Sequence, residues 1–205
     1  MSKGRFVTFE GIDGCGKSTV TKRVFRRLQK EGRRCVLTVE PTGTWLGKAV
    51  RKGWAEKVGP WTEAFLFMAD RVEHNDQIQK WIAEGKLVLS DRYMDSTLAY
   101  QGAELEKSTG GGSAGAMRLL RTMHGPFLLL PDLTLYLKVT PELGMSRLSG
   151  RAGLTKFEKL EFLRKVARNY DLLARREPRR IKAVDASRPL DEVVENVLSL
   201  IRKII

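Results

Sequence analysis

The sequence predicts an α/β fold, a five-stranded parallel sheet with helices on both faces and a short mobile lid. Three observations carry that expectation. Short apolar, β-prone runs alternate with helix-period segments along the chain, the order of elements that builds a parallel sheet covered on both sides. The first run leads directly into GIDGCGKST (11–19), which has the form G-x-x-x-x-G-K-[ST] and is followed by a helical segment. No repeat and no Pro-rich linker divides the 205 residues, a length that suits one compact domain, so 1–205 is read as a single domain.

RFVTFE (5–10) is the first strand. A helix from Lys17 to about Lys30 places Val20, Val24 and Leu28 on one face. RCVLTVE (34–40) is the second strand, stopped by Pro41. Residues 45–55 read as helical, and so do 62–83, where Ala64, Phe65, Met68, Val72, Ile78 and Ile82 form an apolar stripe. LVLS (87–90) is a strand ending at Asp91. A helix around 95–102 precedes a flexible STGGGSAG stretch, and another covers 115–123. LTLYLKV (133–139) is the fourth strand. Thr140 then caps a helix with Pro141 at its first position. A long charged helix spans 156–176, RIKAVDA (180–186) is the last strand, and 190–204 the last helix. The Gly-rich stretches 110–115 and 150–153 read as loops, the second able to move.

Composition narrows the class. An apolar share of 42% and a charged share of 30% are ordinary for a folded domain. No apolar run approaches the roughly 20 residues of a membrane-spanning helix, and the short run before Glu10 is no signal peptide, so a cytoplasmic protein without a membrane partner is expected. Two cysteines and two histidines, none at ligand spacing, do not make a zinc site. Cys35 reads as a small residue of a buried strand and Cys15 as a small residue of the Gly-rich loop; neither is assigned a catalytic role. The net charge of +13 admits nucleic acid as a partner. The basic runs (Arg23, Arg26, Arg27, Lys30, Arg33, Arg34, and Arg175, Arg176, Arg179, Arg180, Lys182) recur at helical spacing or near helix ends without interleaved aromatics, so they read as solvated faces and nucleic acid is not expected.

The chemistry starts in the loop. Gly11, Gly14 and Gly16 let the backbone fold into a nest whose N–H groups point at phosphate oxygens, and the helix after it adds its positive end. Lys17 can reach the β and γ phosphates of ATP, and Ser18 can ligate Mg²⁺. The whole segment, Gly11, Ile12, Asp13, Gly14, Cys15, Gly16, Lys17, Ser18 and Thr19, is therefore the expected triphosphate cradle. The third strand ends in Asp91-Arg92-Tyr93. Ligands of open α/β sheets gather at the carboxyl ends of strands, which puts Asp91 near Mg²⁺ and the phosphates. Arg92 would sit where negative charge builds during transfer between two anionic substrates.

The combination of FEGIDGCGKST (9–19), the Glu40–Pro41 pair, LFMADR (66–71), DRYMDSTLAYQG (91–102), PDLTLYLKV (131–139) and VDASRPL (184–190) resembles thymidylate kinase, in collinear order over almost the whole chain. DRY-x2-S-x3-YQG is its most diagnostic part. The resemblance implies a P-loop kinase fold and Mg²⁺-dependent transfer from ATP to dTMP, giving ADP and dTDP in dTTP synthesis. It also implies roles. Thymine needs a flat partner, a donor for O4 and an acceptor for N3–H. Phe67 matches the stacking phenylalanine and Arg71 the arginine that donates to O4. That arginine would disfavour cytosine, because a buried donor facing another donor costs roughly 1–3 kcal/mol. Thr97 or Gln101 supplies the acceptor. Tyr100 matches a tyrosine that packs on the deoxyribose and crowds a 2′-hydroxyl, and Asp13 the acidic residue near the 3′-hydroxyl. Arg92 matches the arginine on the acceptor phosphate. Glu10 and Asp91 look like members of the metal and water network around Ser18, and Glu40 belongs to the substrate-binding set.

The catalytic set implied is Lys17, Asp91, Arg92 and a lid arginine. The loop itself carries no arginine, whereas RLSGRAGLTK (147–156) supplies Arg147, Arg151 and Lys156, which resembles the bacterial-type arrangement. Arg151 is the expected lid arginine, with Gly150 and Gly153 as hinges and the lid spanning about 147–157. Two departures bear on the acceptor phosphate. Val39 stands where relatives often carry a basic residue, and Thr42-Gly43-Thr44 where the loop often reads Gly-Gly-Thr. Arg51 could compensate. Relatives are typically homodimers, and the stripe on 62–83 offers an interface. Two other readings stay open: a deoxynucleoside kinase or broader monophosphate kinase, in which Glu40 could act as base on a 5′-hydroxyl, and a basic nucleic-acid-binding ATPase.

Overall fold

The computed structural model describes residues 4–148 and 156–205. Its strands are β1 (Arg5–Glu10), β2 (Cys35–Val39), β3 (Leu87–Asp91), β4 (Leu133–Lys138) and β5 (Ile181–Asp185). They form one sheet in the order β2-β3-β1-β4-β5, with every pairing parallel, as the alternation of elements predicts. The helices are α1 (Lys17–Lys30), α2 (Trp45–Glu56), α3 (Pro60–Ala83), α4 (Met94–Glu104), α5 (Gly112–His124), α6 (Pro141–Ser146), α7 (Lys156–Arg176) and α8 (Leu190–Arg202). α1 and α8 pack together, while α3, α4 and α7 pack in succession, α5 lying against α4.

β1 and β3 are the centre of the core, with Phe6, Val7, Phe9, Val88 and Leu89 almost wholly buried. A run that is apolar on both faces is what a strand covered by helices on both sides needs. The register places Phe9 beside Asp91 and Glu10 beside Tyr136, so the strand ends of β1 and β3 deliver their acidic residues to one rim. That rim is also where the 11–19 loop turns into α1.

Four local expectations are corrected. Cys35 is half-buried rather than buried, because β2 is an edge strand. The stretch read as flexible, 108–115, contributes the first turn of α5, which starts at Gly112. A Cβ on Gly115 would lie 1.8 Å from the Gly110 carbonyl oxygen, so this glycine is what lets the turn close. Ser113 Oγ then donates to Gly102 O (3.1 Å) and Asn169 Oδ1 (3.0 Å), tying α5 to α4 and α7. On α3 the buried face runs through Ala64, Met68, Arg71, Asn75 and Ile78, and Phe65 and Val72 fall outside it, 53% and 41% exposed. The helix packs through a partly polar face because that face also walls a polar cavity. Finally, Arg180, read as part of a solvated basic run, is largely buried, its guanidinium donating to Asp95 Oδ2 (2.6 Å) and Oδ1 (2.9 Å), whereas the basic residues of α1 are exposed as expected, Arg27 meeting Glu195 of α8 at 2.9 Å.

Candidate active site

The loop after β1 closes on α6. Gly14 has φ of 78°, and a Cβ there would lie 2.0 Å from the Gly144 carbonyl oxygen. Only glycine permits that contact. Lys17 opens α1 and is buried. Its Nζ donates to the carbonyl oxygens of Gly11 (2.8 Å) and Ile12 (3.0 Å), so the ammonium bridges the loop it is meant to charge.

Ser18 Oγ donates to Asp91 Oδ2, while Asp91 Oδ1 is buried without a hydrogen-bond partner among the described residues. A bare carboxylate oxygen beside a serine hydroxyl fits Mg²⁺, which takes hard oxygen ligands and fills its remaining positions with waters and substrate phosphates. No cluster of three or more His, Cys, Asp or Glu capable of caging a metal occurs among the described residues. Glu10 sits differently from its expected place in the metal network. Its Oε1 accepts from the backbone N–H of Tyr93 (2.8 Å) and Ser96 (3.3 Å), and its Oε2 from Ser96 Oγ (2.6 Å) and Tyr170 OH (2.9 Å). Burial, then the nearby Asp95, raises its pKa to about 7. With its oxygens engaged by protein donors, Glu10 anchors the start of α4 and would reach a metal only through that network.

Arg92 follows β3 with φ of 75°, a left-handed conformation that costs a side-chain-bearing residue on the order of 1–3 kcal/mol and persists where the surroundings demand it. The surroundings here are specific. Its Nη2 pairs with Asp13, its Nη1 donates to Ser96 Oγ (3.2 Å), and its guanidinium carbon lies 5.1 Å over the Tyr100 ring. Burial pushes the Asp13 carboxyl up, but the charges of Arg92 and Lys17 outweigh this and hold it below its ordinary value. The buried Tyr100 hydroxyl lies close to Asp13 and Arg92 but makes no well-formed hydrogen bond among the described residues.

Asp13, Arg92 and Tyr100 form one end of a cavity of about 480 Å³ whose other lining includes Glu40, Phe67, Arg71, Thr97 and Gln101. Eight of the sequence-predicted substrate residues thus meet in one place. Phe67 presents a ring backed by Trp54, with centroids 5.9 Å apart. Gln101 Nε2 donates to Glu63 Oε1 (2.9 Å), which leaves its amide oxygen as an acceptor. Arg71 is 1% exposed. Its Nε and Nη2 donate to Glu40 Oε2 (2.9 and 2.5 Å), and its Nη1 bonds Thr97 Oγ1 (3.1 Å) and His124 Nε2 (2.7 Å). Glu40 Oε1 lies 2.9 Å from His74 Nδ1, whose Nε2 lies 2.8 Å from Thr38 Oγ1. Burial raises the Glu40 carboxyl, but Arg71 and then His74 hold it below its ordinary value.

Arg51 is placed elsewhere than expected. It is absent from the cavity lining and instead donates to the carbonyl oxygens of Pro41 (2.8 Å), Thr42 (2.7 Å) and Gly47 (2.8 Å), clasping the turn that leads into α2. Asp70, buried on α3, holds the same turn through Thr42 N (2.8 Å) and Thr42 Oγ1 (2.5 Å). The threonine at 42, a departure from the resemblance, is therefore used by a buried carboxylate. Arg151 and most of the expected lid at 147–157 lie outside the described residues.

Sequence reasoning missed Asp70, His74, Ser96, His124 and Tyr170. Asp70 and His74 flank Arg71 on α3, so helical spacing could have suggested them. Ser96 lies inside the DRY-x2-S pattern. Nothing in the sequence ties His124 or Tyr170, on other helices, to this cavity.

The chain is similar to proteins of one family. Residues 9–197 match the family model described as thymidylate kinase. It is 39% identical to the probable thymidylate kinase of Methanosarcina mazei, over 99% of this chain and 98% of that protein. It is equally 39% identical to the probable thymidylate kinase of Methanococcoides burtonii, over 99% of this chain and 98% of the other. The thymidylate kinase of Latilactobacillus sakei is also 39% identical, over 97% and 94% respectively.

Proposed function

This chain belongs to the thymidylate kinase family, and we propose that the cavity over Arg71 and Tyr100 holds dTMP while the 11–19 loop holds ATP. The enzyme is a nucleoside monophosphate kinase of P-loop kinase fold that converts ATP and dTMP to ADP and dTDP in dTTP synthesis, with Mg²⁺. The observation that supports the substrate assignment is the joining of two chemistries in one cavity. One end has an aromatic face, a spare guanidinium N–H and amide and hydroxyl acceptors, suited to thymine. The other has Arg92 and Asp13 at the edge of the phosphate loop, suited to a 5′-phosphate and a sugar hydroxyl.

The residues then act mainly by electrostatics, since phosphoryl transfer asks for positioning and charge rather than covalent chemistry. Lys17 carries positive charge into the loop that cradles the donor phosphates. Arg92, fixed by Asp13, Ser96 and Tyr100, meets the acceptor phosphate and offsets the repulsion between two anions. Ser18 and Asp91 would hold Mg²⁺, which when bound would neutralise charge on the donor phosphates. A role for Glu40 as base on a 5′-hydroxyl is disfavoured, because both its oxygens are committed to Arg71 and His74. Arg151 completes the site as a lid arginine at about 147–157, and residues 1–205 act as one domain.

The test is an acceptor panel with ATP and Mg²⁺. dTMP should be the preferred acceptor, with thymidine inert; turnover of thymidine and not dTMP would overturn the reading. A variant sharpens the base assignment. Arg71→Ala should lose most of the preference for dTMP over dCMP. It should also destabilise the fold by about 3–5 kcal/mol, because it leaves Glu40 buried with one cation-side partner removed. Adding Glu40→Gln should recover much of that stability and none of the selectivity. Selectivity that survives in the double variant would move base recognition elsewhere.

Two coarser assignments accompany this. No helix of the described residues is long and apolar enough to cross a membrane. An enzyme of dTTP synthesis draws on the cellular nucleotide pool, which supports a cytoplasmic location. A homodimer would form through the outward face of α3, where Phe65 and Val72 are exposed. Light scattering should report a dimer that Phe65→Glu converts to monomer; a monomeric parent protein would rule this out.

A further inference from the structure

Five N–H groups surround a guanidinium, and the Arg71 contacts account for four of them: one at Nε, two at Nη1 and one at Nη2. The fifth, on Nη2, has no partner among the described residues and is the one left for a ligand in the cavity that Arg71 lines. Its direction depends on how the other four are held. Glu40 grips one side of the plane. The opposite side is gripped at Nη1 by Thr97 and by His124, and the His124 contact is the shorter, at 2.7 against 3.1 Å.

His124 is fully buried near the end of α5 and does not line the cavity. Its state is forced by its neighbours. Nδ1 lies 2.7 Å from the carbonyl oxygen of Leu120, which can only accept, so Nδ1 carries the proton. Nε2 faces Arg71, which can only donate, so Nε2 must be bare. The ring is therefore neutral and a single tautomer. Burial first, and the Arg71 charge second, lower its pKa to about 4.

We infer that His124 is a positioning residue for base selection: as a neutral acceptor locked by Leu120, it pins Arg71 Nη1 so that the free Nη2 N–H faces the carbonyl oxygen of a pyrimidine in the cavity. The imidazole does this where a carboxylate would not. A second carboxylate beside Glu40 would add a buried negative charge, whereas a neutral acceptor satisfies the N–H and leaves the pair at Arg71 and Glu40 balanced. The chain's two histidines thus both serve this arginine, His74 by holding Glu40 and His124 by holding Nη1 directly.

The inference rests on the dTMP reading, and the experiment separates the two. Steady-state kinetics with dTMP and dCMP are measured on the parent enzyme, His124→Phe and His124→Gln. His124→Phe keeps a flat ring but leaves a buried Nη1 N–H unpaired, so KM for dTMP should rise about tenfold or more and the dTMP preference fall in step. KM for ATP should stay within about twofold. His124→Gln, which restores an acceptor at the same reach, should recover most of the preference. A folded His124→Phe enzyme with unchanged dTMP preference would overturn the inference, and so would a preference equally lost in both variants. Failure of the parent enzyme to use dTMP would instead sink the substrate reading. Should His124→Phe not fold, nitrogen NMR of the parent enzyme decides: His124 should stay neutral and Nδ1-protonated from about pH 5.5 to 8. Titration of this ring with a midpoint near the ordinary histidine value would overturn the inference.

Discussion

Lys17→Ala should lower kcat by roughly a thousandfold or more, with KM for dTMP changed far less. The expectation follows from where the ammonium lies. Lys17 bonds two loop carbonyls and, among the described residues, faces no carboxylate in direct contact, so its charge is available to the donor phosphates. The same arrangement predicts that the fold survives. Removing the side chain strands no buried anion, because Asp13 keeps its direct partner in Arg92. The melting temperature should therefore move by only a few degrees, about what a 1 kcal/mol change produces in a domain of this size. The measurement is single-turnover kinetics alongside thermal unfolding. Near-normal transfer in a folded variant would remove the 11–19 loop from the chemistry.

Arg92→Ala should cost roughly a hundredfold to a thousandfold in kcat and raise KM for dTMP as well. The arginine bridges Asp13, Ser96 and the Tyr100 ring, so its loss removes the charge at the acceptor end of the cavity together with what aligns Asp13. Arg92→Lys should recover little, since an ammonium cannot reproduce the planar fork that serves Asp13 and Ser96 at once. The backbone supplies an independent check. At φ of 75° alanine is as strained as arginine, while glycine is not. Arg92→Gly should therefore be more stable than Arg92→Ala by about 1 kcal/mol and no more active. Equal stability of the two would mean that the left-handed conformation relaxes once the side chain is gone.

Much of this molecule was legible in its residues because the relevant physics is local. A strand entering a Gly-rich turn and leaving in a helix that begins with Lys17 and Ser18 builds a phosphate cradle whatever lies around it. Alternation of apolar runs with helical segments requires a parallel sheet covered on both faces, and all five strands are found within one or two residues of the predicted ranges. The Gly-rich stretch before α5 was less legible because composition reports flexibility, whereas Gly115 is there for a close approach to Gly110. The stripe on α3 was misplaced at Phe65 and Val72 because periodicity counts apolar residues, and the helix buries Arg71 and Asn75 instead.

The sequence by itself determined the fold class, the loop proposed to hold the donor and the roster of cavity residues, since each is written in neighbouring positions or a collinear pattern. Only the tertiary structure decided how those residues are held. It takes Arg51 out of the cavity to clasp the turn before α2, and it assigns Asp70 to Thr42. It commits the oxygens of Glu10 to α4 and Tyr170, and it brings His124, 53 positions away, onto Arg71. Arg51 is exposed and clasps a turn near it in sequence; for the other three the reason is common. A buried polar group must find a partner wherever the packed helices bring one, and that partner is selected by distance in space and leaves no trace in sequence spacing.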